Sequence, residues 1–433
     1  MSHEAIIGLV CFIIMISMVL VGIPIFISMG VMAFIGFWLI GGPEVALNYF
    51  TTGPYNIVAQ FSFAVLPMFL LMGVLAGESG VGEGAYDTAR KWLGRLRGGL
   101  LMATIGGNAL FGACCGVSIA GNVIFGKLAL PELQKYGYDR RLSLGCITAA
   151  GALSSLIPPS MGILIFSILT NVSVGRALVS GIVPGLITAL VYCVLIFVIG
   201  VLRPARIPAA ELKITWAERL GSLKLILPIL GLFFLVIGGM FFGVFPATVA
   251  GAIGSFGVLI YAIARRMEPR RIGKCFWDSA VMNAQFFPII VSGFLFSRFV
   301  ALSGLAQNFA DLITRVNLPP FAVFWLVVVF YIFCGCVMDL PSILIITIPI
   351  VFPLLTSLGF DPYVIVITLV FMGEIAGLTP PIGMNVFAVS ALLRIPPDEI
   401  FRGVLPFFIA DVILVALFSA VPVLVTFLPN LLY

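Results

Sequence analysis

LIPPSMGILIF (residues 156–166) and LTPPIGMNVF (residues 378–387) each place a proline pair inside a long apolar run. Proline removes a helical hydrogen bond and its ring clashes with the preceding turn. Pro158-Pro159 and Pro380-Pro381 therefore each break a helix. In hydrocarbon a freed amide or carbonyl finds no water, so such breaks are costly unless they line a protected cavity. One break is a tolerable kink. Two in matching settings call for a site.

The setting is lipid. Of 433 residues, 61% are hydrophobic and only 9% charged, with a mean hydropathy of +1.22; a soluble domain carries about 25% charged residues. The expected fold is an all-α polytopic membrane protein. The apolar run in residues 1–40 is too long for a signal peptide and reads as retained helix. No polar stretch is long enough for a soluble domain, so a capture or energy-converting domain is expected on another polypeptide. The net charge of +5 fits basic loops at a membrane surface, not nucleic acid. The eight cysteines show neither CxxC nor zinc spacing, and the single histidine, His3, is at the N-terminus. Neither zinc, haem nor nucleotide is expected. GNVIFGKL (121–128) starts like a phosphate loop, but Leu128 lacks the hydroxyl that would hold Mg²⁺.

Spans are expected at about 5–21, 24–40, 56–77, 140–171, 178–201, 222–243, 244–264, 279–300, 361–393 and 403–428. Segments 99–130 and 319–356 have Gly/Cys-rich middles and read as re-entrant helical hairpins. Under this layout all 23 Lys and Arg but four (Lys127, Arg176, Arg298 and Arg315) fall on one side. The positive-inside rule makes that side cytoplasmic and places both termini outside. Reading either hairpin as two full crossings would scatter the basic loops.

An offset of 222 residues superposes Pro131 on Pro353, Gly137 on Gly359, Asp139 on Asp361, the two proline pairs, and Pro184 on Pro406. An offset of 224 matches Ser79-Gly80 to Ser303-Gly304. The ordered series indicates duplication. An odd number of crossings separates the units, which makes this an inverted repeat with two discontinuous helices. The organisation reads as scaffold helices 1–55, a first unit 56–201, connecting helices 202–278, and a second unit 279–433. In such repeats, unwound segments near the midplane offer half-helix N-termini to anions and free carbonyls to Na⁺. Asp339, Glu374 and Asp411 are acids at membrane depth whose first-unit counterparts are Val117, Ala152 and Ala189. Asp339 and Glu374 are the candidates for coupling.

FGACCGVSIAGNVIFGKLALPELQKYGYD (111–139), GALSSLIPPS (151–160), MDLPSILIITIPIVFPL (338–354) and GEIAGLTPPIGMNVF (373–387) together resemble the large membrane (M) subunit of tripartite ATP-independent periplasmic (TRAP) transporters, within the ion transporter superfamily. The resemblance covers nearly the whole chain. It implies an elevator-type transport domain in a bacterial inner membrane, two Na⁺ sites, a small four-helix membrane subunit and a periplasmic substrate-binding protein as partners. It places one Na⁺ among Gly112, Cys115, Gly116, Ser118, Ser154, Ser155 and Pro158. The second falls among Gly335, Asp339, Gly377, Thr379 and Pro380, and substrate contacts fall on Ser118, Ser160, Gly383 and Asn385. The family's hydroxyl-rich first tip reads Cys115-Gly116-Val117-Ser118 here, so that site leans on Ser118 and the backbone.

The leading expectation is Na⁺-driven uptake of a small organic anion of the carboxylate class. A proton-coupled carrier using Asp339 or Glu374 is the nearest alternative. An intramembrane hydrolase lacks a usable His, GxGD or HExxH, and a membrane scaffold would not need matched helix breaks.

Overall fold

The computed structural model describes residues 2–208, 214–308, 311, 318–336, 338–380 and 383–432. Arg315 and Pro381, named above, Lys213 among the basic residues of the expected cytoplasmic side, and position 337 in the second tip lie outside the described residues. Every described regular element is a helix.

Two N-terminal helices, His3–Leu20 and Ile25–Val58, pack on the long helix Pro269–Ser303. The second N-terminal helix extends well beyond the expected 24–40. It bends at Gly42 (φ 84°, ψ 175°), and residues 43–58 form an added segment whose Pro43, Glu44, Asn48 and Thr51 had masked its helical character. Phe37 stacks on Tyr49 at 4.2 Å and meets Phe299 edge-on at 6.0 Å, fixing the bend against the long helix. That helix runs through position 279, and the expected final span 403–428 is two helices, Pro397–Ala420 and Val423–Leu432. Pro422 follows the end of the first of these, since proline pushes the residue before it, Val421 (φ −123°, ψ 75°), out of the helical region.

The two segments expected as hairpins are each a pair of helices joined by a short turn. Gly99–Cys115 turns through Gly116-Val117 into Ser118–Lys135, and Pro320–Gly335 turns into Leu340–Ser357. The arms fold back on each other: Phe111 meets Phe125 at 6.0 Å, and Tyr331 hydrogen-bonds Thr347. The entering arms have 17 and 16 residues, or about 25 Å of helix, short of a hydrocarbon core of about 30 Å. The first broken helix comprises Arg140–Ala150, Leu153–Leu156 and Met161–Thr170; the second comprises Pro362–Ala376 and Met384–Leu393.

Helix boundaries recur at the 222-residue offset, since Ser118–Lys135 maps onto Leu340–Ser357 and Arg140 onto Pro362. The corner before each broken helix is built alike. Gly137 and Gly359 adopt φ of 75° and 87°. Tyr138 and Phe360 donate their N–H groups back to Leu133 and Leu355 at 3.0 and 3.2 Å. Asp139 then caps Leu142 N–H at 2.8 Å, and Asp361 caps Tyr363 N–H at 2.8 Å, each cap worth about 1 kcal/mol.

Hairpins and broken helices occupy the interior. In Leu340–Ser357 67% of the apolar window is buried inside the protein, against 28% in His3–Leu20 and in Val174–Leu202. By length and composition eight described helices can cross a membrane, or ten with each bent pair counted once. A helix apolar on its exposed faces as well as its buried ones is stable only in lipid, so this is a multi-pass membrane protein.

Outside that core, Val81–Leu93 is amphipathic and latches onto the first hairpin. Tyr86 OH donates to Glu132 Oε2 at 2.9 Å, and Arg90 pairs with Glu132 Oε1 at 3.0 Å and with Asp87 at 2.9 Å. Burial pushes the Asp87 carboxyl up, but hydrogen bonds from Lys91 and Arg90 outweigh it and hold the group below its ordinary value.

Candidate functional site

Each hairpin tip is pinned to the break of its own unit. Met161 N–H donates to Gly116 O at 3.2 Å, and Gly383 N–H donates to Cys336 O at 3.2 Å. Met161 and Gly383 are mates at the 222 offset, while the acceptors Gly116 and Cys336 are not (the mate of Gly116 is Met338), so the two units make similar joints two residues out of register. The breaks thus find partners for freed amides in the facing tip rather than in lipid.

A cavity of ≈ 320 Å³ lies where these joints meet. Both tips contribute, through Gly116 to Ala120 and Met338 to Pro341, and so do both broken helices, through Ser155, Met161, Gly373, Glu374, Gly377 and Asn385. Met282 and Phe286 of the long helix Pro269–Ser303 close one side. Glu374 is only 3% exposed. Its Oε2 accepts from Asn385 Nδ2 at 3.1 Å, and the hydroxyls of Ser118 and Ser155 also bear on the carboxyl. Glu374 therefore shares one cavity with residues of the first tip and the first break and bonds within the second broken helix. Asp339 stands at the start of its helix and accepts from Ser342 Oγ.

Of the residues expected from sequence, Gly116, Ser118, Ser155, Asp339, Glu374, Gly377 and Asn385 line this one cavity. The others are placed around it. Thr379 Oγ1 donates to Ala376 O at 2.7 Å and lies 3.2 Å from Cys336 Sγ, which is itself 3.0 Å from Pro380 O and 3.1 Å from Ile332 O. Three oxygens thus converge beside the second break, around a thiol. Ser160 caps Ile163 N–H at 3.3 Å and donates to Ser155 O, so its hydroxyl holds the first break in shape. Gly383 adopts φ 60°, and a Cβ there would lie 2.9 Å from Thr379 O and Phe401. Pro158 is buried within the first break.

Four expected ligands have other duties. Cys115 directs its thiol toward Gly73 O at 3.7 Å, and its carbonyl faces Gly73 as well, away from the cavity. Ser154 donates to Asn108 Oδ1 at 3.1 Å, and a Cβ on Gly112 would meet Ser154 Cα at 2.7 Å. Gly335 packs on Ala376, where a Cβ would come within 2.1 Å. Gly112 and Gly335 are the same device in the two units: small residues that let a hairpin arm touch a broken helix.

Sequence reasoning passed over Asn108 and Asn122, both fully buried. With its nitrogen turned toward them, the Asn122 amide donates to Ile147 O at 2.9 Å and Thr148 O at 3.1 Å, tying the first hairpin to the first broken helix. Two asparagines inside an apolar hairpin were the available signal. Asp411, given little weight from sequence, accepts from Tyr192 OH at 2.6 Å at a fully buried position behind the second broken helix.

The donors suit a hard cation. Among the described residues no three His, Cys, Asp or Glu side chains converge. The oxygens at hand are hydroxyls, main-chain carbonyls and the Glu374 and Asp339 carboxyls, the donor types Na⁺ takes.

The family profile for the tripartite ATP-independent periplasmic transporter, DctM component, matches residues 12–424. The C4-dicarboxylate TRAP transporter large permease protein DctM of Rhodobacter capsulatus is 30% identical, over 98% of this chain and 99% of that protein. Its Pseudomonas aeruginosa namesake is 29% identical over 89% of each chain. The ectoine TRAP transporter large permease protein TeaC of Halomonas elongata is 27% identical over 96% of this chain and 97% of that protein. The crystal structure of the Alcanivorax borkumensis YdaH transporter superposes with a TM-score of 0.62 at 15% identity, over 92% of this chain and 97% of that one, a likeness of fold. Family profile, relatives, apolar spans and paired breaks all lead to one assignment: the chain belongs to the DctM component family of tripartite ATP-independent periplasmic transporters and is a transport protein, not an enzyme.

Proposed function

We propose that this protein carries a small organic anion of the carboxylate class across the bacterial inner membrane, driven by Na⁺, by elevator-type movement of its two hairpins and broken helices. The observation that carries the reading is the single cavity bounded by both tips and both breaks, in which Glu374 bonds Asn385 and shares the lining with Ser118 and Ser155 of the other half. The substrate is handed over by a periplasmic binding protein, and a small four-helix subunit completes the complex. The two units form an inverted repeat, the hairpins are re-entrant, and both termini face the periplasm. Short hairpin arms and the one-sided basic loops support this arrangement. The first Na⁺ would be held through Gly116 O, Ser118 and Ser155. The second would be held through Thr379, Pro380 O and Asp339. Bound Na⁺ supplies the charge that lets a carboxylate approach two acidic side chains.

The test is uptake into proteoliposomes containing the complete complex. The starting panel is the compounds named for relatives: C4-dicarboxylates, ectoine, isethionate and sialic acid. An inward Na⁺ gradient should drive accumulation of one of them. Accumulation that follows a pH gradient and ignores Na⁺ would transfer the coupling to protons at Asp339 or Glu374.

Two further outcomes are expected. Thr379→Val keeps shape but deletes an oxygen, so it should raise the Na⁺ concentration for half-maximal uptake several-fold. Cys115→Ala should leave that concentration nearly unchanged, because the thiol faces Gly73; the reverse pattern would refute the ligand assignment. A cysteine introduced next to Arg206 should react with an impermeant maleimide only from the cytoplasm, and one next to Asp361 only from the periplasm. Labelling of both from one face would rule out the inverted arrangement.

A further inference from the structure

A second polar cavity, of ≈ 340 Å³, lies away from the hairpin tips and is walled by Asp139, Arg140, Arg141, Arg206, Glu399 and Arg402. Four arginines and two acidic residues line it, and both carboxylates are already engaged. Asp139 Oδ1 caps Leu142 N–H at 2.8 Å, and Glu399 Oε2 lies 3.2 Å from Arg140 Nε. Arg141, Arg206 and Arg402 make no ion pair among the described residues. Gathering like charges around a cavity is unfavourable unless an anion shares it.

The walls are fixed before any ligand arrives. Arg140–Ala150 and Pro397–Ala420 cross at backbone contact: a Cβ on Gly145 would lie 2.0 Å from Gly403 O, and one on Gly403 would lie 1.9 Å from Arg141 O. The stems of Arg141 and Arg402 therefore start from two rigid helices at fixed separation. Arg206 is tied in through its carbonyl, which accepts from Asp139 N–H at 2.9 Å. Below Arg402, on the same face of its helix, Leu405, Ile409 and Ile413 are 57%, 53% and 63% exposed, at spacings of three and four residues. A multidentate basic basin thus caps an exposed apolar stripe. Planar guanidinium forks match phosphate oxygens two at a time, and the stripe suits an acyl chain.

We infer that this basin is a binding site for a phosphate-bearing anion, supplied by the headgroup of an anionic phospholipid whose acyl chain lies along Leu405, Ile409 and Ile413. It is separate from the transport cavity, and the inference does not depend on Na⁺ coupling or on the substrate.

Native mass spectrometry of the detergent-purified protein, exchanged with dioleoyl phosphatidylglycerol or dioleoyl phosphatidylcholine, tests it. Phosphatidylglycerol should be retained in preference to phosphatidylcholine. Arg141→Gln/Arg402→Gln should cut that retention at least fivefold, and Arg141→Lys/Arg402→Lys should keep more than half of it. Arg270→Gln/Arg271→Gln, which removes the same charge from the long helix Pro269–Ser303, should leave it unchanged. Equal retention of the two lipids, or equal loss in the two Gln double variants, would overturn the lipid site. Inorganic phosphate supplies the second arm, read as the thermal midpoint. A rise in wild type that is absent in Arg141→Gln/Arg402→Gln, with no phosphatidylglycerol preference, would keep the anion basin and make its ligand a soluble phosphate. No response to either probe overturns the basin itself.

Discussion

Gly116→Ala should reduce uptake at least a hundredfold while the protein still inserts and elutes as a single species. Gly116 sits at the first hairpin tip with φ 67°, where a Cβ costs about 1 kcal/mol of backbone strain. The larger effect is steric. The added carbon would lie 2.0 Å from Pro159 O and 3.1 Å from Pro159 C, and that oxygen belongs to the rigid proline pair of the break. The tip must then retreat by roughly 1 Å, since close-packed interiors do not absorb such an overlap. Retreat would sever the Met161 N–H to Gly116 O bond and open the cavity wall that Gly116, Val117 and Ser118 build. The arms themselves would stay folded, because Phe111, Phe125 and the Asn122 amide hold them elsewhere. Gly359→Ala is the matched control: its φ is 87° but a Cβ there meets nothing within 4 Å. It should cost about 1 kcal/mol in stability and leave uptake near wild type. Equal losses in both variants would mean that backbone strain, not the tip-to-break joint, governs activity.

Glu374→Gln should lower uptake more than tenfold and abolish its dependence on Na⁺. The carboxyl accepts from Asn385 Nδ2 at 3.1 Å and is approached by the hydroxyls of Ser118 and Ser155. A carboxylate accepts at both oxygens, whereas the amide puts a donor where one acceptor stood, in a cavity that Ser118, Ser155 and Asn385 also line. The variant thus loses the negative charge and disturbs the bond to Asn385, and a buried polar group left unpaired costs about 1–3 kcal/mol. Glu374→Asp keeps the charge but withdraws it by one methylene, and should be intermediate. The readout that separates a site role from a folding role is the Na⁺ dependence of the residual rate. Residual uptake in Glu374→Gln with an unchanged half-maximal Na⁺ concentration would remove Glu374 from coupling.

The sequence was informative wherever a local rule operates on consecutive residues. Composition settled the solvent, because no fold of this hydropathy exposes its surface to water. Pro158-Pro159 and Pro380 marked breaks because of their matched settings in two apolar runs, whereas lone prolines such as Pro131 and Pro406 sit inside continuous helices. The Gly137-Tyr138-Asp139 and Gly359-Phe360-Asp361 corners could be read twice, since a left-handed glycine and an aspartate cap are set by neighbours only. Segment 43–58 escaped because a bend at Gly42 depends on Phe37, Tyr49 and Phe299 meeting across two helices, not on its own hydropathy.

Only the tertiary structure decided how the breaks are used. The sequence placed Ser118 and Ser155 in one unit and Glu374 and Asn385 in the other, and gave no means of bringing 155 to 374. Packing of the tips into the breaks did so, because each freed backbone amide in a lipid-bound chain must find a partner and the nearest is the facing tip. The same packing turned Cys115 and Ser154 away, toward Gly73 and Asn108, although their neighbours in sequence line the cavity. On a helix, direction changes by about 100° per residue, so adjacency in sequence says little about which side chain reaches a site. The Arg141 and Arg402 basin depends on the same fact from the other side: two residues 261 apart become one site because Gly145 and Gly403 let their helices touch.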